Sequence, residues 1–298
     1  MISFVIMGSG KYYPLLAQNV EQIRKVYPDA RVLVYDWGDD TGRARFSHPA
    51  AGVEVIDWTA RISDVDALAA SIPERQRVDL AISYNARFTR DLRQRLRKAV
   101  LKRWPRSILA RPLIRAGLVF ENMLVQKVPC MIDASRRVGE GRMVFLDADA
   151  FLVRPLDDLF DGHDFDVAVT LMARPNWEVD RCSVVNSGVI FFGARPGPRG
   201  AFLAAWNEAV GRCTEWLREQ TGLVRMLAGP APDLFAPWNT AEVALGGQAV
   251  RLLALACAEF NNTDRDTAFD GNARVIHLAN TAHNQAVVRE FLAKVAAI

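Results

Sequence analysis

The chain has 298 residues, of which half are apolar and 24% are charged, and its formal net charge at pH 7 is +3. This is the composition of a globular, soluble protein with one large α/β domain or two smaller ones. Four widely spaced cysteines without a C-x-x-C pair argue against a zinc site and a disulfide scaffold. No apolar run approaches the roughly 20 residues of a membrane span, and no signal-peptide pattern precedes the first strand, so we expect a cytoplasmic protein.

The chain opens with the pattern of a βαβ unit. Ile2 to Met7 is an apolar, strand-like run followed by a glycine-containing loop, and Leu15 to Val26 has apolar residues at helical spacing. Arg31 to Tyr35 and Val53 to Asp57 read as further strands. Ligands of such sheets lie beyond the carboxyl ends of the strands, although a Gly-Ser-Gly loop alone also fits an ordinary turn. The residues that we expect on this edge are Gly8, Ser9, Tyr12, Tyr13 and Asp36.

Residues 85–115 are strongly basic. They contain eleven basic residues and one acidic residue, a charge of +10, so the rest of the chain carries −7. The apolar residues recur every four positions and predict one amphipathic helix along Phe88, Leu92, Leu96, Val100 and Trp104. Such a helix favours contact with an anionic membrane surface, and the alternative is a solvated helix packed on the core. Nucleic acid would also fit the charge, but no binding motif accompanies it.

A pair of aspartates ends the apolar run Met143 to Leu146. Asp147 and Asp149 are two positions apart, so in an extended chain they point to the same side. Like charges at the end of a buried strand are costly unless a cation lies between them, which indicates a divalent ion with oxygen ligands. The alternative is that one aspartate caps the next helix and the other is solvated.

Another polar interruption lies in the strand-like run VVNSGVIFF. Asn186, Ser187 and Gly188 would be unfavourable inside a core without partners, which indicates a strand that lines a pocket. The alternative is a β-bulge at Gly188. Further along, Val275 to His277 is a strand that ends in histidine. A satisfied core histidine is the alternative for His277.

Several of these segments resemble GT-A glycosyltransferases. FLDADAFLVRPLDDLF resembles their DxD segment, VIMGSGKYYPLLAQN their first strand and loop, VNSGVIFF their "FNxGV" strand, and VIHLANTAH their C-terminal "VIHxxG…K" segment. The resemblance covers most of the chain. It implies an α/β fold with a Rossmann-like mixed sheet, mostly parallel and flanked by helices. It also implies a single catalytic domain over 1–298, with a basic helical insertion near 85–115.

The resemblance also implies roles for individual residues. It makes Asp147, Asp149 and His277 ligands of Mn²⁺ or Mg²⁺. WNTAEVAL resembles the family's helix start, with Thr240 as its N-cap, although Ala241 stands where the pattern has an aspartate. This makes Glu242 a candidate catalytic residue, with Gln248, near the same end, as the alternative. His283 stands where the pattern has a lysine that contacts the diphosphate. The nucleotide-sugar would contact Gly8, Ser9, Tyr12, Tyr13, Asp36, Lys127, Asp147, Asn186, Ser187, Gly188 and His283, while a surface position is the alternative for Lys127.

The implied activity is transfer of a sugar from a nucleotide-diphosphate donor to a hydroxyl acceptor, with retention favoured over inversion. The basic segment favours a glycolipid or a cell-surface polysaccharide precursor, such as a bacterial lipopolysaccharide, as acceptor. A cytoplasmic location with peripheral contact at the inner face of the membrane would follow, without nucleic acid as a partner. The alternatives are a non-catalytic protein that binds sugar nucleotides or a membrane surface, a HAD-type phosphatase with Asp147 as nucleophile, and a nucleotidyltransferase, whose glycine-rich signature is absent.

Overall fold

The computed structural model describes residues 1–38, 45–61, 65–87, 92–172, 184–264, 267–278 and 285–298. The strands in these ranges are β1 Ile2–Gly8, β2 Arg31–Asp36, β3 Val53–Asp57, β4 Arg142–Asp147, β5 Ala150–Leu152, β6 Val167–Leu171, β7 Val185–Phe192, β8 Thr240–Leu245, β9 Gln248–Ala256 and β10 Val275–His277. The α-helices are α1 Tyr13–Val26, α2 Val65–Ser71, α3 Glu74–Arg87, α4 Leu92–Arg103, α5 Ala110–Val125, α6 Lys127–Val138, α7 Asp157–Gly162, α8 Pro196–Arg212, α9 Arg218–Ala228, α10 Cys257–Phe260 and α11 Gln285–Ala296.

Eight strands form one mixed sheet in the order β3-β2-β1-β4-β7-β6-β9-β8. The pairs β1–β2, β1–β4, β2–β3 and β6–β9 are parallel, whereas β7 is antiparallel to β4 and β6, and β8 is antiparallel to β9. The predicted mixed, mostly parallel sheet flanked by helices is therefore confirmed. The carboxyl ends of β1, β2, β3, β4, β6 and β9 lie along one side of the sheet, which we call the carboxyl edge.

The central strands are apolar because helices cover both faces of the sheet. All seven residues of β1 are buried, and their side chains alternate between two cores. Val5 belongs to the core formed with α6, α8 and α9, and Phe4 to the core formed with α1 and α7. No helix in the described ranges combines the length and the apolar character needed to cross a bilayer.

The basic region is built from several helices rather than one. Helix α4 spans Leu92–Arg103, so it contains Leu92, Leu96 and Val100 of the predicted stripe but ends one residue before Trp104, and α5 begins only at Ala110. Pro105 explains the break, because proline disfavours helical backbone at the preceding residue and cannot donate to the helix. Leu101 is buried here, whereas Leu96 and Trp104 are exposed, and Phe88 lies outside the described residues.

The predicted helix start at Thr240 is also wrong. Thr240 begins strand β8, which pairs with β9 through a two-residue turn, Gly246-Gly247. Both glycines have positive φ, 53° and 76°, a combination typical of the tight turns that join antiparallel strands. Glu242 therefore lies in the outermost strand of the sheet.

Candidate active site

The strand register brings the first loop and the aspartate pair to the same level of the carboxyl edge. Met7 pairs with Asp147 across β1 and β4, and Gly8 pairs with Asp36 across β1 and β2. Gly8 is closely packed, because a Cβ atom there would lie 3.2 Å from side-chain atoms of both Tyr12 and Leu16. The glycine thus lets the chain turn from β1 into the loop directly beside the residues that follow β4.

Asp147, Asp149 and His277 form a cluster at this edge. One candidate ligand atom from each lies within 4.8 Å of the others. The short antiparallel pair β5–β10 explains how residues so distant in sequence meet, since it places His277 opposite Ala150, and the Leu278 N–H donates to the Asp149 carbonyl at 2.8 Å. Two carboxylates and an imidazole are a donor set suited to a divalent transition-metal ion. The sequence-predicted ligands therefore meet in a geometry that could hold one.

A hydrogen-bond chain fixes the imidazole of His277. The amide nitrogen of Asn261 donates to Thr170 Oγ1 at 2.9 Å and to the Asn186 carbonyl at 3.2 Å, so the amide oxygen must face His277 Nδ1. Nδ1 lies 2.8 Å from that oxygen and is therefore protonated. Burial alone would lower the pKa of His277, but the Asp149 carboxylate, whose Oδ1 lies 3.2 Å from Nε2, outweighs it and raises that pKa. Nε2–H therefore donates to Asp149, and a bound cation would take the place of this proton. Orientation of a ligand histidine through its other nitrogen is typical of metal sites.

The polar interruption of β7 is both a bulge and part of the site. The ladder between β6 and β7 shifts register between Val169 and Thr170, so Ser187, Gly188 and Val189 have no partner on β6. The bulge places Gly188 against the cluster, where a Cβ atom would lie 2.4 Å from His277 Cε1 and 3.0 Å from Asp147 Oδ2. Only glycine fits there without moving a candidate metal ligand.

Lys127 supplies a buried positive charge beneath the cluster. Its ammonium lies 3.0 Å from Asp147 Oδ1 and 3.1 Å from Glu219 Oε1, and its side chain is 2% exposed. Burial alone would lower the pKa of Lys127, but the two carboxylates outweigh it and raise that pKa. Burial is also the main reason why the pKa of Glu219 is raised, although Lys127 opposes it. Lys127 thus lies in the site and neutralises its carboxylates, rather than lying on the surface.

Helix α9 contributes two residues to the site that the sequence analysis does not predict, Glu219 and Gln220. Ser187 Oγ donates to Glu219 Oε1 at 3.0 Å, and the Ser187 N–H donates to Gln220 Oε1 at 3.1 Å. Within the described part of the chain, the buried Oε2 of Glu219 has no hydrogen-bond partner. A signal existed in the sequence, because Glu219 shares the buried helical stripe of Leu223 and Leu227.

The first turn of α9 is held in place by a residue of α5. Leu217 has φ 52°, a left-handed conformation that costs a non-glycine residue on the order of 1–2 kcal/mol. The buried carboxylate of Glu121 on α5 accepts the Leu217 N–H at 3.0 Å and the Arg218 N–H at 3.2 Å. Burial is the main cause that raises the pKa of Glu121 to about 7. Glu121 therefore caps the helix turn from which Glu219 and Gln220 project.

Asp36 lies at the carboxyl edge, but its carboxylate is already occupied. Oδ1 accepts hydrogen bonds from Tyr13 Oη at 2.7 Å and from the Gly38 N–H at 2.8 Å, and Oδ2 accepts one from the Phe46 N–H at 3.0 Å. Asp36 therefore organises the loops around the predicted nucleoside edge. Ser9 and Tyr12 lie on the same edge and are partly exposed.

The structure does not bring the predicted catalytic residues to the site. Gln248 begins β9 and Glu242 pairs with Arg251, so both lie toward the end of the sheet opposite to the carboxyl edge, and both are exposed. The physical reason is the Gly246-Gly247 hairpin turn, which makes an edge strand of the segment for which the resemblance predicts a helix. His283 lies outside the described residues.

No protein-family model matches the sequence, and no curated protein matches it. Among solved structures, the chain is similar to a glycosyltransferase involved in glycosylation of the major capsid of PBCV-1, with TM-score 0.47, 10% identity and 98% of each chain covered. It is also similar to apo mouse xyloside xylosyltransferase 1, with TM-score 0.46, 10% identity and coverage of 93% of this chain and 97% of that one. The galactosyltransferase LgtC in complex with donor and acceptor sugar analogs gives TM-score 0.43, 14% identity and coverage of 98% and 95%.

Proposed function

We propose that this protein is a metal-dependent glycosyltransferase that moves a sugar from a nucleotide-diphosphate donor to a hydroxyl acceptor. The observation that carries the proposal is the Asp147–Asp149–His277 cluster at the carboxyl edge, beside the glycine loop after β1. A diphosphate next to two aspartates is strongly repelled unless a cation lies between them, and the cluster offers the ligands for that cation.

Mn²⁺ is the ion that we propose, because an imidazole ligand suits it better than Mg²⁺, which prefers oxygen alone. Asp147, Asp149 and His277 would hold it, with Nε2 as the histidine ligand. When bound, the ion supplies Lewis-acid stabilisation of the charge that develops on the leaving diphosphate. Lys127 keeps Asp147 in place and neutralises Glu219, so that the donor does not meet an uncompensated negative site.

The nucleoside would lie along the loop after β1. Tyr12 offers a partly exposed ring on which a base can stack, and Gly8 lets the loop that carries Tyr12 pack closely against the end of β1. Asp36 acts through Tyr13 and the backbone of the neighbouring loop, whose position it fixes. Asn186, Ser187 and Gly188 would face the donor sugar from the bulge of β7.

We propose retention of the anomeric configuration. Inversion needs a carboxylate base that can take the proton of the acceptor hydroxyl. Among the described residues of the cluster, Asp147 and Asp149 are committed to the ion, and the charge of buried Glu219 is matched by Lys127. The amide of Gln220 cannot act as a base. We assign Glu219 and Gln220 to the sugar pocket, in place of Glu242 and Gln248.

The acceptor class that we propose is a saccharide carried on a glycolipid or a cell-surface polysaccharide precursor. The support for it is the basic character of residues 95–111, where seven basic residues occur without an acidic one. Such a surface attracts anionic acceptors and anionic lipid headgroups.

A thermal-shift experiment with nucleoside diphosphates, each with and without Mn²⁺, tests the proposed activity. One nucleotide should raise the melting temperature only when the metal is present, because the ion is needed to offset the repulsion between the diphosphate and the aspartates. The shift should be measurable, since a ligand at 100 times its Kd stabilises the folded state by about 2.7 kcal/mol. Asp149→Asn should abolish this metal-dependent shift, whereas Asp233→Asn, at an exposed position outside the cluster, should keep it. A protein that no nucleotide stabilises, or an Asp149→Asn variant with an unchanged shift, would contradict the proposal.

The proposed retention of the anomeric configuration is tested by a separate measurement. Once the donor is known, NMR of the product sugar in the first minutes of reaction gives its anomeric configuration. We expect the configuration of the donor. An inverted product would point to a carboxylate base outside the residues assigned above.

A further inference from the structure

The turn between α4 and α5 carries exposed apolar side chains. Nine large apolar residues of the described part of the chain are exposed, and four of them fall between positions 96 and 109. These are Leu96, Trp104, Ile108 and Leu109, with exposed fractions of 59%, 57%, 79% and 66%. Exposed apolar groups that cluster, rather than being scattered singly, mark a surface that contacts something apolar. We call residues 95–111 the α4–α5 tip.

The same tip is densely basic. Its seven basic residues are Arg95, Arg97, Lys98, Lys102, Arg103, Arg106 and Arg111, and it contains no acidic residue. Of these, only Arg106 takes part in an ion pair with a described residue, Glu74, at 2.9 Å. Arg103 lies over the ring of Trp104, 5.7 Å from its centroid. Six cations of the tip therefore have no ion-pair partner in the described chain, and they share one short segment with the four exposed apolar residues.

We propose that the α4–α5 tip docks on the surface of an anionic lipid bilayer. Trp104, Ile108 and Leu109 would enter the boundary between headgroups and acyl chains, and the lysines and arginines would lie among the lipid phosphates. The proposal rests on both features of the tip, its exposed apolar residues and its basic residues. Apolar residues alone would not select an anionic surface, and charge alone would not explain the exposed isoleucine and leucine.

A second copy of the chain fits this surface less well. In a two-fold dimer the same patch faces itself, so seven basic residues would oppose seven basic residues without an acid between them. The bilayer presents the opposite charge over a continuous area, and each lysine or arginine near it strengthens binding about fivefold. Charge complementarity therefore selects the bilayer.

The tip is joined to the candidate site by one helix. Helix α5 begins at Ala110 in the tip and ends at Val125, two residues before Lys127. Its 16 residues span about 24 Å at about 1.5 Å per residue. Docking through the tip leaves the carboxyl edge outside the bilayer by up to about that distance. The docking does not depend on the proposed activity, and it can be true if the transferase proposal fails.

Co-sedimentation with vesicles tests the docking. We expect the protein to pellet with phosphatidylcholine vesicles that contain about a third phosphatidylglycerol, and to stay in solution with pure phosphatidylcholine. Lys102→Glu with Arg111→Glu should weaken this binding by at least about 30-fold, since each site loses more than one favourable charge. The matched control is Arg136→Glu with Arg289→Glu, which makes the same charge change at exposed positions outside the tip.

The apolar part of the tip has a separate pair of variants. Ile108→Asp with Leu109→Asp should reduce pelleting about as strongly, whereas Val55→Asp with Ile298→Asp, also at exposed apolar positions, should not. Binding to neutral vesicles as well as to anionic ones, no binding at all, or equal loss in tip and control variants would overturn the proposal. A dilution-dependent dimer that the tip variants abolish would overturn it in favour of self-association.

A third measurement does not require a disruptive substitution. Brominated lipids quench tryptophan fluorescence only at short range, so anionic vesicles that contain them should quench the wild-type protein. Trp104→Phe keeps an aromatic ring but removes the tip fluorophore, and it should lose most of this quenching while still pelleting. Quenching that is unchanged in Trp104→Phe would show that another face of the molecule meets the lipid.

Discussion

Charged side chains have opposite environments at the carboxyl edge and at the α4–α5 tip. At the carboxyl edge, Lys127 and Glu219 have side chains that are 2% and 3% exposed and lie 3.1 Å apart. At the tip, the basic side chains are exposed, and only Arg106 has an ion-pair partner among the described residues. Charges that are removed from water interact strongly over short distances, whereas exposed charges interact weakly in pairs and are screened by salt.

The difference indicates what each region can do. A buried network fixes the positions of its members, because each charge would be costly without its partner, and this is what a site that orients a donor needs. An exposed group of like charges fixes no geometry but creates a field that attracts an extended anionic surface. The same residue types therefore fix one another's positions in one region and create an attractive field in the other. Substitutions of buried charges should therefore change the free energy of unfolding more than substitutions of exposed charges, and only the effects of exposed charges should weaken in salt.

The largest effect is expected at Lys127. Lys127→Met removes the cation between Asp147 and Glu219 and leaves two carboxylates without compensation, so we expect the free energy of unfolding to fall by about 3–5 kcal/mol. Urea unfolding at neutral pH measures it. Lys294→Met, at an exposed lysine paired with Glu290, is the matched control and should change stability by less than about 1 kcal/mol.

A double variant shows whether the loss comes from the ion network. Lys127→Met combined with Glu219→Gln removes a positive and a negative charge together, so its loss should be smaller than the sum of the two single losses. Additive losses, or a Lys127→Met variant as stable as the control, would mean that the carboxyl edge does not depend on buried charge pairing.

An intermediate effect is expected at Glu121, which joins the two regions. Its pKa of about 7 in the folded protein lies above the ordinary 4.5. The folded state thus holds this proton more tightly than the unfolded chain. The resulting stabilisation is fully present below pH about 4.5 and is lost as the pH rises through about 7, with a total of about 3 kcal/mol.

Glu121→Gln cannot titrate and should lack this dependence. The difference in unfolding free energy between wild type and variant should therefore shift by about 3 kcal/mol toward the variant between pH 4.5 and pH 8. Urea unfolding at several pH values gives both curves, and other titrating groups cancel in the difference. Curves that stay parallel would show that Glu121 is not buried against α9 in the way its two backbone hydrogen bonds indicate.

Much of the carboxyl edge could be predicted because its elements have short-range signatures. The apolar run before Asp147 predicts a buried strand, and the rule that ligands lie at the carboxyl ends places Gly8 beside it. The approach of His277 to Asp149 was implied only by resemblance, since the pairing of β5 with β10 joins segments more than a hundred residues apart. Local patterns do not encode which distant strand completes such a pair.

The wrong and missing predictions have two kinds of cause, a distant partner and an overlooked turn residue. Glu219 lies on the apolar stripe of α9, but its role depends on Lys127, which is 92 positions earlier in the chain. Glu242 was assigned by similarity to a helix start, although the Gly246-Gly247 pair that follows is a strong hairpin signal. The four-residue repeat predicts a helix that includes Trp104, whereas α4 ends at Arg103 because Pro105 disfavours helical backbone at the residue before it. A single residue that determines the backbone thus outweighs a family pattern at Gly246-Gly247 and a periodic pattern at Pro105.

The smallest effect is expected for an exposed ion pair just outside the α4–α5 tip, on the next turn of α5. Arg115 Nη1 lies 2.8 Å from Asp66 Oδ1, but their side chains are 61% and 82% exposed. Water and salt weaken such a pair, so Asp66→Asn should lower the free energy of unfolding by less than about 1 kcal/mol, and the difference should vanish in about 1 M salt. Urea unfolding at low and high salt measures both values. A loss of about 2 kcal/mol or more that persists in salt would mean that charge pairs beside the tip are shielded from water as they are at the carboxyl edge, and the contrast between exposed and buried charges would then fail.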